Sequence, residues 1–192
     1  SLTAGVAIFT NIFNTILAPH LYKIDQAGAY KAETRNTLND SVLLVVVFAY
    51  IAFGYFSWLI TKVLPVQYTG IDDILICSIS VPLFYMLSEV SAAEINLKRK
   101  THFIFLSVLI SVSCAVVLNY FLVNAYGALG AAVASAITFY VFFATKLLFA
   151  KRVNNAIQTK KLLIWPLGVL GIAFIDAFNL VSFFSMIGIW TG

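Results

Sequence analysis

The sequence is poor in charge. Asp, Glu, Lys and Arg make up 10% of its 192 residues, too few to solvate the surface of an ordinary globular domain. Cysteine is almost missing: Cys77 and Cys114 lie inside apolar runs without paired spacing, which excludes a zinc or dithiol motif and leaves them as packing residues. His20 and His102 are solitary, so no metal and no cofactor are expected. Nucleophile motifs and phosphate-binding glycine loops are also missing, which argues against an enzyme. The connections at 64–72 and 125–127 are too small to hold a soluble active site. Asp72-Asp73 opens an apolar run, where adjacent carboxylates cap a helix N-terminus more readily than they hold a glycosyltransferase metal.

What the chain has is apolar length. Hydrophobic residues make up 61% and the mean hydropathy is +0.96, so the expected solvent is lipid. The formal charge of +4 does not point to nucleic acid, because the cations sit in short segments beside apolar runs. They form three clusters: Lys23, Lys31 and Arg35; Lys98, Arg99 and Lys100; Lys151, Arg152, Lys160 and Lys161. Two apolar segments separate each cluster from the next. All three therefore return to one face of a bilayer, which their charge marks as cytoplasmic. Six spans are expected, at 2–18, 41–63, 73–97, 102–124, 128–150 and 162 to about 186. The predicted fold is all-α, a polytopic, multi-pass membrane protein. The first span is short and Ser1 stands where an initiator Met would, so a piece of a longer protein is expected. The hydrophilic stretch 20–40 reads either as a weakly amphipathic interfacial helix or as a solvated helical loop. Pro82 and Pro166 mark kinks, and the last run is read as one kinked helix in preference to a re-entrant hairpin.

A pattern lies around the fourth span. Leu118-Asn119-Tyr120 is followed by a short turn and by Gly127-Ala128-Leu129-Gly130-Ala131-Ala132, with Ala134 and Ser135 beyond. Gly127 and Gly130 permit a tight turn, while Ala131, Ala134 and Ser135 make a small-residue face that another helix can approach closely. With Ala18-Pro19, Leu21-Tyr22 and the basic junction Leu97-Lys98-Arg99-Lys100-Thr101, the segment resembles the C-terminal half of the O-antigen and teichuronic-acid type flippases of polysaccharide biosynthesis. The resemblance runs from about residue 2 to 152 and lapses beyond it. It implies the multidrug/oligosaccharidyl-lipid/polysaccharide exporter fold, in which two helical bundles rock about a central cavity. Residues 1–152 would form the second bundle and 153–192 an additional C-terminal segment, with the N-terminal bundle outside this chain. The implied function is movement of an undecaprenyl-pyrophosphate-linked oligosaccharide across the bacterial inner membrane. The implied partners are that lipid-linked oligosaccharide, membrane lipids, a coupling proton or sodium ion, and other membrane proteins of polysaccharide assembly. A multidrug or lipid II exporter of the same superfamily, a membrane enzyme of glycan assembly and a noncatalytic membrane scaffold are the alternatives.

Polar residues inside the spans are the candidate site. Ser78, Pro82, Tyr85, Glu89 and Asn96 share one face of the third span. A carboxylate at the depth of Glu89 needs a cation, a proton or water. It is thus either a coupling or cavity residue, or the partner of a Lys or Arg, or the lining of a hydrated cleft. In the first span Thr10, Asn11, Asn14 and Thr15 cluster, for hydrogen bonding between helices or for lining a sugar cavity. Lys146, one turn inside its span, either snorkels to headgroups or meets substrate. Glu94 is expected to be solvated at the interface, and Asp176 receives no role.

Overall fold

The computed structural model describes residues 15, 32–63, 71–154, 157 and 159–177. Among them there is no strand, and the fold is all-helical: α1 (Ala32–Val63), α2 (Ile71–Leu97), α3 (His102–Val153) and α4 (Thr159–Ala177). The first expected span, with Asn11 and Asn14, lies outside the described residues apart from Thr15, which is helical. α1 begins at Ala32 instead of 41, because 32–40 holds no Gly or Pro and its helix runs directly into the apolar stretch. α4 runs unbroken through Pro166 to Ala177, so no reversal occurs within its described length.

The two spans expected at 102–124 and 128–150 form one element that folds back on itself. Gly127 has φ 57° and ψ −128°, outside the helical region, and this is the break. The first position of a type II′ turn has these angles and favours glycine. The two arms, 102–126 and 128–153, then run antiparallel: Phe103 stacks on Phe149 with ring centroids 5.1 Å apart at the open end. At the closed end Gly130 lies so close to the Leu122 carbonyl that a Cβ would collide with it. Each arm is about 25 residues, or roughly 37 Å of helix, enough to cross a hydrocarbon layer of about 30 Å. Among the described residues α3 is also the helix that is long and apolar enough to cross a membrane, by length and composition.

α2 is the central helix, packed against α1, α3 and α4. Cys77, Ile79, Phe84 and Ile95 are fully buried on it, and Phe84 lies 6.4 Å from the Tyr50 ring of α1 and 5.7 Å from the Tyr140 ring of α3. Tyr50 and Ser80 share a hydroxyl–hydroxyl hydrogen bond across α1 and α2. The Tyr140 hydroxyl donates to the Leu163 carbonyl of α4 at 3.2 Å, one residue from the carbonyl that Pro166 leaves without its amide partner. α4 therefore joins the same core, with Leu162, Pro166 and Leu170 buried in it.

Two polar contacts fix which ends meet. Lys161 pairs with Asp40 at 2.9 Å, and the Asn154 amide donates to Glu94 at 3.3 Å. With the Phe103–Phe149 stack they gather Lys98, Arg99, Lys100, Lys151, Arg152, Lys160 and Lys161 at one end of the bundle. Glu94, expected to be solvated, is buried there, because α2 ends against the end of α3 where Asn154 covers it.

Candidate functional site

The surface has its polarity reversed. On the arm 102–126 the outward positions include Phe105, Leu109, Val112, Val116, Tyr120 and Phe121, all exposed, while Ser107 and Ser111 are buried against the bundle. The same holds on α1, where Leu44, Phe48 and Ile51 face outward and Asn39 and Tyr50 are buried. Exposed apolar faces of this extent are rare on soluble monomers and mark a surface for contact with lipid or with another protein. Ser107 and Ser111 donate to the Phe103 and Ser107 carbonyls one turn back, so each small polar side chain is satisfied within its own helix.

α2 shows the opposite arrangement along one stripe. Between 77 and 97 its half-buried positions are Ser78, Val81, Tyr85, Glu89, Ala93, Asn96 and Leu97, while the remainder is buried. Apart from Leu97, which ends the helix, they follow steps of three and four, so they form one face. This is the polar stripe expected from the sequence, with Pro82 turned into the core beside it. The central helix therefore opens toward the outside along its polar side.

Glu89 sits on that stripe, and its Oε1 lies 3.0 Å from Nζ of Lys146. The two are unequal in exposure: the side chain of Lys146 is 3% exposed and that of Glu89 27%. Lys146 does not snorkel as expected. It points inward because the carboxylate and an aromatic ring receive it within the bundle: Nζ lies over the Phe142 ring at 4.1 Å, reaches Ser88 Oγ at 3.4 Å, and is 5.9 Å from the Tyr85 ring. Ser88 in turn donates to the Tyr85 carbonyl at 2.7 Å. The result is a cation held on its hidden side by a ring and a hydroxyl, with a carboxylate that reaches from it to the open face. An ammonium removed from water in this way keeps its charge only through such partners.

The structure thus brings together Tyr85, Glu89 and Lys146. The sequence reading missed Phe142 and Ser88, although Phe142 lies four residues before Lys146 on the same helical face and is detectable by that spacing. The turn and packing residues are distributed as follows: Gly127 makes the turn, Gly130 the close approach, Ala134 is fully buried, and Ala131 and Ser135 are half-buried, with the Ser135 hydroxyl donating to the Ala131 carbonyl at 2.8 Å. No group of His, Cys, Asp or Glu able to hold a metal occurs among the described residues. Comparison of the chain with family models, with curated proteins and with solved structures finds no match.

Proposed function

We propose that this chain is a membrane-embedded helical bundle of a transporter of the polysaccharide-flippase type, which moves lipid-linked oligosaccharide across the bacterial cell membrane by alternating access. The observation that carries the reading is the contrast between two surfaces. The outward faces of α1 and of the arm 102–126 are apolar, as lipid requires, whereas the partly open face of α2 is polar and carries Glu89 in its ion pair with Lys146. A polar stripe on an otherwise buried helix suits the wall of a wet cavity. The substrate class follows from the resemblance at 118–135, and the six-span topology from the placement of the basic clusters.

In this reading the stripe from Ser78 to Asn96 lines the path, and Glu89 is its charge-bearing member. Exchange of the carboxylate between Lys146 and a proton or sodium ion is the step that couples ion movement to a change of state. Replacing Glu89 by Gln keeps a hydrogen-bond acceptor for Lys146 but removes the charge that is exchanged. The expected result is reduced export of lipid-linked glycan per unit of folded protein, measured in cells against a quantified membrane fraction. Export per folded molecule equal to that of the unsubstituted protein would refute a transport role for the stripe.

A further inference from the structure

The α2–α3 junction poses a separate problem of charge. The Phe103–Phe149 stack closes the open end of the α3 hairpin and so places Lys98, Arg99 and Lys100 beside Lys151 and Arg152, cations far apart in sequence. All five are exposed, and among the described residues no ion pair engages them. Among the described side chains the carboxylates are committed elsewhere: Glu94 is buried and accepts from Asn154, Glu89 holds Lys146, and Asp40 pairs with Lys161. Arg99 is also in an unfavourable backbone state. Its φ of 55° is left-handed, and the Arg99 and Lys100 amides close the helix end by donating to the Asn96 and Ile95 carbonyls. Glycine fits such a helix end without strain, whereas arginine adds only its charge and its reach. Directly beyond the cations, Phe105 and Leu106 expose apolar side chains on the same arm.

We infer that the base of the α3 hairpin binds an anionic phospholipid, with Arg99, Lys100 and Arg152 at the headgroup phosphate and Phe105 along the acyl chain. The juxtaposition of clustered cations with an exposed apolar face favours an amphiphile over a free anion, because a soluble phosphate would leave Phe105 and Leu106 uncovered. The inference rests on the membrane reading but not on the transport step.

The test uses the full chain in nanodiscs of phosphatidylcholine that carry a trace of spin-labelled lipid. The expected result is a larger immobilised fraction for labelled phosphatidylglycerol than for labelled phosphatidylcholine, with the preference reduced about fivefold for each charge removed in Arg99→Gln, Lys100→Gln and Arg152→Gln. Arg99→Gly separates charge from folding: it relieves the left-handed strain, so the protein melts no lower, yet the preference falls. Equal immobilisation of the two labels, or displacement of the anionic label by inorganic phosphate, overturns the lipid site. A chain that does not enter nanodiscs overturns the membrane reading itself, a separate failure.

Discussion

Lys146 and Glu89 are partners of unequal standing, and the inequality can be measured. Removing one member of a buried ion pair costs roughly 3–5 kcal/mol when the survivor is fully desolvated, and less when water can reach it. Lys146 is the enclosed member, so Glu89→Gln leaves a cation against Phe142 and Ser88 with only an amide for company. Lys146→Met leaves a carboxylate that is already partly exposed. We therefore expect Glu89→Gln to lower folded abundance more than Lys146→Met, and the double substitution to recover most of the loss. Quantified membrane fractions and melting in mild detergent read this, and equal losses from both single changes would remove the asymmetry. The sequence offered Glu89 as a carboxylate that needs a cation, a proton or water, because its helical face and its place within an apolar run follow from spacing alone. It did not show which cation answers, because α2 and α3 approach each other through packing, and Lys146 is 57 residues away.

At the level of elements the hairpin α3 depends on two glycines for different reasons. Gly127 is needed for its backbone angles and has open space around a Cβ, whereas Gly130 has no room beside the Leu122 carbonyl. Gly127→Ala should cost on the order of 1–3 kcal/mol, the strain of a residue in a sparsely populated backbone region. Gly130→Ala must instead push the two arms apart, so its effect should spread to the distant end as weaker stacking of Phe103 on Phe149. A double-mutant cycle of Phe103→Leu and Phe149→Leu should show coupling between the two rings in the parent and in Gly127→Ala, and little in Gly130→Ala; equal coupling in all three would place the collision elsewhere. Much of this was legible. The turn at Gly127 and the run lengths on either side follow from glycine placement and the distance a helix must span. The burial of Glu94 was not, since it depends on Asn154 closing over the end of α2, a contact between elements that no local pattern encodes.

For the whole molecule, the proposed bilayer reading fixes which end is reached from which side. With Cys114 replaced by Ala and Cys77 left in place, fully buried and out of reach, we expect Lys160→Cys to be labelled only from the cytoplasm and Ala125→Cys at the hairpin tip only from outside. Labelling of both positions from one side would overturn the orientation. The tip has a further consequence, for how the protein is made. Residues 124–130 carry no charged side chain, and Gly127 sets the reversal through its own backbone angles. A segment of this kind crosses a hydrocarbon layer at small cost, whereas a charge at the centre would cost on the order of 3 kcal/mol. In the proposed bilayer reading the two arms of α3 are expected to enter the membrane together during synthesis, so that the buried serines at 107 and 111 meet lipid only with the return arm beside them.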